Sequence, residues 1–120
     1  MKTNLQHVRA NVENLQESIK WYTEILGFEL DSLWPKDNPN YADFRSKGDT
    51  STFSIMVDKH GSSSARFNFD VDDIDSEWAR LKEIANIVEE IHDTPYGTRG
   101  FAVSDLDGNI IGLSRPWGLN

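Results

Sequence analysis

Apolar positions near the start of the chain change their period. Val8, Ala10 and Val12 step by two, as in a strand with one buried face. Leu15, Ile19, Tyr22 and Leu26 then step by four, three and four, as in a helix that buries one stripe. The same succession returns 59 residues later, from Val8 to Phe67: Phe67, Phe69 and Val71 alternate, and Ile74, Trp78, Leu81 and Ala85 follow at helical spacing. The switch falls at Asn14 in the first copy and Asp73 in the second. Both residue types cap helices, because a side-chain oxygen accepts from the first unpaired helix N–H groups. Gly27 ends the first helical pattern at a position suited to a glycine stop.

Each copy continues as strands. In the first, Phe28–Trp34, Tyr41–Ser46 and Thr52–Val57 read as strands, with a Pro35–Asn40 loop and a turn around Gly48-Asp49. In the second, Ile87–Asp93, Arg99–Ser104 and Asn109–Ser114 are separated by turns at Pro95-Tyr96-Gly97 and Asp107-Gly108. The pattern predicts an α+β domain of two βαβββ modules, residues 1–58 and 65–120, joined by a polar linker over 59–64.

Composition narrows the function classes. A length of 120 residues with 38% hydrophobic content suits one domain with a real core. A net charge of −8 repels phosphate backbones and argues against a nucleic-acid partner. Without cysteine there is no disulfide, thiolate nucleophile or Cys-ligated metal. No apolar run approaches the ~20 residues a bilayer needs, so no membrane partner is expected. The opening segment Met1–His7 lacks the apolar stretch of a signal peptide, and the expected location is cytoplasmic. The chain has no G-x-S-x-G elbow, P-loop or G-x-G-x-x-G motif. The carboxylates Asp70, Asp72, Asp73 and Asp75 flank a helix start, where capping and solvation account for them.

Three segments in order carry a family resemblance. They are His7–Val12 with Asn14-Leu15 and Trp21–Phe28, then Val71–Asp75, then Arg99-Gly100-Phe101 through Asp105–Asn109 to Pro116. Together they resemble the vicinal oxygen chelate superfamily of glyoxalase I, bleomycin-resistance proteins, fosfomycin-resistance enzymes and extradiol dioxygenases. Leu106 stands where proline is usual in that family. The resemblance implies that the paired modules form a curved mixed sheet around a ligand cavity, commonly within a homodimer. It also implies that metal-dependent members draw ligands from the first and last strand of each module. Those positions here are His7, Ser54, Arg66 and Gly112. Glycine offers no side-chain donor and arginine carries a permanent positive charge, so no metal and no cofactor are expected. His60 and His92 show no ligand spacing and read as solvated or hydrogen-bonded imidazoles.

Alternation places the candidate ligand-binding residues. His7, Arg9 and Asn11 point away from the face of Val8, Ala10 and Val12, and Arg66, Asn68 and Asp70 do the same in the second copy. Ser54 and Met56, beside Thr52, add a third row, and Gly112, between Ile110 and Ser114, a fourth. Polar groups facing a cavity need water or a ligand. For His7 a structural hydrogen bond stands beside direct ligand contact. For Arg66 pairing with Asp70 or Asp43 stands beside ligand recognition, and Arg9 and Arg66 favour a nearby carboxylate or phosphate. Trp34 and Trp117, with Tyr41 and Tyr96, sit near loops or the C-terminal end, suited to stacking on a planar ligand or to a dimer interface. The expected function is metal-free binding of a small organic molecule, an antibiotic among the candidates, by a homodimer. The competing expectation is a metal-dependent lyase, isomerase or dioxygenase with His7 in an unconventional site.

Overall fold

Both period switches open helices. Asn14 Oδ1 accepts from the Glu17 N–H at 3.0 Å and starts α1 (Leu15–Lys20). Asp73 Oδ1 accepts from the Ser76 N–H at 3.1 Å and starts α2 (Ile74–Leu81). These caps satisfy donors that a helix start would otherwise leave unpaired. The computed structural model describes residues 1–45 and 51–116. The Gly48-Asp49 turn, Ser46 and Trp117 lie outside the described residues.

The first helical stretch differs from its pattern. At Trp21 it passes into a π-helical turn, Trp21–Ile25, whose end is tied by the Leu26 N–H donating to the Trp21 carbonyl at 3.3 Å. The Thr23 hydroxyl donates back to the Ile19 carbonyl at 2.8 Å, a side-chain bond that competes for the helix ladder. Gly27, at φ +85, then turns the chain out of the helix. The second helix ends at Leu81, so Ala85 belongs to the turn that follows.

Eight strands are present among the described residues: β1 (His7–Val12), β2 (Glu29–Trp34), β3 (Tyr41–Arg45), β4 (Thr52–Val57), β5 (Arg66–Asp70), β6 (Asn86–Asp93), β7 (Thr98–Ser104) and β8 (Ile110–Pro116). They form two four-stranded mixed sheets of the same plan, ordered β1-β4-β3-β2 and β5-β8-β7-β6. In each, the first and last strands of the module run parallel and the remaining pairs antiparallel. The fold class is α+β. The chain divides into two compact units, Met1–Ser63 and Ser64–Asn120. No helix among the described residues is long and apolar enough to cross a membrane.

Each unit has its own apolar face. In the first, Tyr22 is fully buried, with its ring 5.3 Å from Phe44 and 5.5 Å from Phe53. Ala10, Val12 and Ile55 close the layer beneath it. In the second, Leu81, Val103 and Ile111 are fully buried, and Trp78 meets Phe101 edge-on at 5.1 Å. Tilted and edge-on ring pairs follow the ring quadrupole and add to the burial of apolar area. With these residues turned to the helix side, the opposite face of each sheet is left to polar side chains.

Candidate functional site

Strand register builds the site of the second unit. Arg66 lies beside Ile110, Asn68 beside Gly112 and Asp70 beside Ser114. Gly112 is opposite Ala102, and Ala102 is opposite Glu89. One row across the sheet therefore reads Asn68, Gly112, Ala102, Glu89. Its two middle members have almost no side chain, so the Glu89 carboxylate lies across them and reaches Arg66. Arg66 Nη1 donates to Glu89 Oε2 at 2.7 Å, Nη2 donates to Oε1 at 3.1 Å, and Nε donates to Asn68 Oδ1 at 2.9 Å. The fork-to-fork geometry is the strong form of an arginine–carboxylate pair. The guanidinium contact holds Glu89 below the usual carboxylate range and raises Arg66 further.

The partner of Arg66 is thus Glu89, and neither Asp70 nor Asp43. Asp43 instead accepts from the Tyr41 hydroxyl at 2.6 Å and the Ser32 hydroxyl at 3.0 Å. Glu89 escapes a reading by alternation because β6 is irregular between Ile87 and Glu89 and again between Glu89 and His92. Gly112 is required by the same cluster. A Cβ there would run into Asn68 Oδ1 and would stand 3.1 Å from Arg66 Nη2.

A cavity of about 430 Å³ opens over this face, lined by Arg66, Asn68 and Glu89. Thr94, Tyr96 and Thr98 also line it, and Gly100 and Ser114 contribute to it. Thr94 and Thr98 are linked through their hydroxyls at 2.8 Å, and the Thr98 N–H donates to Thr94 Oγ1 at 3.0 Å. His92 also lines the cavity, and its Nδ1 lies 2.9 Å from the Glu90 carbonyl oxygen. A carbonyl only accepts, so Nδ1 is the donor of that bond. Tyr96 is 81% exposed at the rim. Asp70 is exposed and borders a separate depression with Asp72 and Arg115.

The first unit repeats the arrangement with different side chains. His7 lies beside Thr52, Arg9 beside Ser54 and Asn11 beside Met56. Asn68 and Arg9 occupy equivalent places in their modules, so Ser54 and Gly112 are equivalent as well. Ser54 is fully buried and donates to the Val8 carbonyl at 3.2 Å. Arg9 Nη1 approaches Met56 Sδ at 3.0 Å, and Nη2 lies 3.6 Å from Asp58. Burial first, then the bond to Asp43, pushes the Tyr41 phenol pKa up. Trp34 is paired with Tyr41 and is 66% exposed. The Asn11 N–H donates to Ser63 Oγ at 3.2 Å, and His7 is exposed at the strand start.

The four positions that the resemblance assigns to a metal do not fit one. Ser54 spends its hydroxyl on a backbone carbonyl, Gly112 has no donor, and Arg66 holds a fixed positive charge in a closed ion pair. His7 alone is an ordinary ligand, whereas a persistent site needs three or more protein donors. Among the described residues no group of three His, Cys, Asp or Glu side chains is placed to hold an ion.

Comparisons with known proteins agree with this architecture. TnmS3, an antibiotic binding protein from Streptomyces sp. CB03234, is 27% identical with a TM-score of 0.80, over 96% of this chain and 97% of that one. A glyoxalase/bleomycin resistance protein from the same organism is 26% identical with a TM-score of 0.76, over 93% and 100% of the two chains. TioX from Micromonospora sp. ML1, at 21% identity, shares the fold with a TM-score of 0.78 over 95% and 99%. A search of the curated proteins finds no match. The family model of the Glyoxalase/Bleomycin resistance protein/Dioxygenase superfamily matches residues 4–113, which takes in both modules. By that match and by its duplicated βαβββ plan, the chain belongs to the glyoxalase/bleomycin resistance protein/dioxygenase superfamily.

Proposed function

We propose that this protein is a metal-free binder of the bleomycin-resistance type, which sequesters an antibiotic or another small organic molecule without turning it over. The observation that carries the reading is the Arg66–Glu89–Asn68 cluster packed over Gly112. Side chains of this kind recognise an organic guest through hydrogen bonds, and their two oxygen donors, Glu89 and Asn68, are already engaged by the Arg66 cation. The adjoining cavity of about 430 Å³ lies within the range of small-molecule sites. The likeness to TnmS3 supports the antibiotic class. Sequestration protects by mass action wherever the protein is in excess over its ligand. In this reading the protein works as a cytoplasmic homodimer, and sedimentation should give twice the chain mass.

Calorimetric titration with a panel of planar antibiotics tests the proposal. Saturable heat at a fixed stoichiometry is the expected result, and no saturable binding across the panel counts against it. Elemental analysis of protein purified without chelator separates the enzyme reading. A full equivalent of nickel, zinc, manganese or iron per chain would favour a metal-dependent lyase, isomerase or dioxygenase.

A further inference from the structure

The presence of Arg66 in the cavity suggests at first an anionic ligand. The geometry points the other way. Three of the five guanidinium N–H groups are already committed, two to Glu89 and one to Asn68. Both fork positions that a carboxylate would use are filled by a carboxylate of the protein itself. An anion entering here would meet Glu89 beside it and would have to displace it. The pair contributes no net charge to the cavity. The chain as a whole, at −8, repels anions before they arrive.

The remaining groups are those that recognise neutral polar atoms. Two guanidinium N–H groups still point away from the ion pair, and His92 lines the cavity beside them. Ser114 lines the cavity, and its hydroxyl has no partner among the described residues. Thr94 and Thr98 supply hydroxyl oxygens, and the exposed Tyr96 ring gives a flat apolar face at the rim.

We propose that this cavity selects a planar aromatic ligand that bears amide or hydroxyl groups and no negative charge, and that Glu89 is the specificity residue that turns anions away. The inference rests on the reading of this cavity as the binding site and adds its charge preference. Its consequence is that an acidic ligand binds only as its neutral form or conjugate.

Three probes of nearly one shape separate charge from fit: 2-naphthoate, 2-naphthamide and 2-naphthamidine. Each is titrated into the full chain at neutral pH while amide and Tyr96 side-chain NMR shifts are followed. The amide should perturb Ser114, Thr98 and Tyr96 saturably. The amidine should bind within a few-fold of it, and the carboxylate at least tenfold more weakly. In Glu89→Gln, which keeps an acceptor for Arg66 and removes the charge, the carboxylate should gain at least tenfold and the amide should change little. Carboxylate binding to the wild type as tight as the amide would overturn the inference, whatever becomes of the variant. Shifts confined to residues outside the cavity would overturn it too. If antibiotics bind in the calorimeter while the naphthalene series follows either contrary pattern, the charge preference fails and the sequestration reading stands. If neither set binds, both fail.

Discussion

A methyl group at position 112 would point straight into the side-chain amide of Asn68. Gly112→Ala therefore forces Asn68 to move and loosens Arg66, and overpacking of this kind costs about 1–3 kcal/mol. Asn68→Ala in the same chain should recover part of that loss, a coupling between contacting residues of about 0.5–3 kcal/mol. Denaturant unfolding of the two single variants and the double variant measures both. Strict additivity would show that Asn68 is not what the glycine accommodates. The ion pair makes a second prediction at this scale. Glu89 has its folded-state pKa lowered by Arg66, below its ordinary value of 4.5. The stability it adds is present above 4.5 and is lost as pH falls through the lowered value. Arg66 and Glu89 are 43% and 41% exposed, so solvent screens them and the contribution lies in the surface range of about 0.2–1 kcal/mol. Wild type should thus exceed Glu89→Gln in stability at pH 7 and converge with it on acidification below 4.5. A difference that grows as the pH falls would contradict this origin.

At the scale of elements, the alternating and helical periods were legible because each unit buries one face of each element. Asn14 and Asp73 both cap as their residue types suggest. Asn14→Ala should destabilise the chain by about 0.5–2 kcal/mol, while Asn14→Asp, which keeps an acceptor, should not. Thermal unfolding distinguishes them, and equal losses would mean that the cap bond is not what position 14 supplies. The irregular places were not legible. The π-helical turn at Trp21–Ile25 keeps Tyr22 in the core, so the apolar spacing looks the same as in a plain helix. The bulges in β6 put Glu89 and His92, three residues apart, over one cavity, which a period of two cannot reveal. Arg66, Asn68 and Gly112 were visible because β5 and β8 are regular; their acidic partner was not, because β6 is bulged.

Across the whole molecule, the duplication places equivalent rows on the two sheets with unlike side chains. Arg9 in the first unit meets a thioether and a carboxylate at 3.6 Å, whereas Arg66 in the second is locked in a closed pair. Of the four strand positions that the family resemblance assigns to a metal, three here carry hydroxyl, guanidinium and glycine. In the proposed function that exchange moves the chemistry from Lewis-acid activation toward recognition by hydrogen bonds. The net charge of −8 acts at the same scale, attracting cations and repelling anions while leaving neutral molecules unaffected.

The most direct measurement repeats the calorimetric titration of the tightest antibiotic in excess EDTA and again with added zinc or nickel. Equal affinity and stoichiometry in all three conditions are predicted. Binding that disappears in EDTA and returns with the metal would contradict the account.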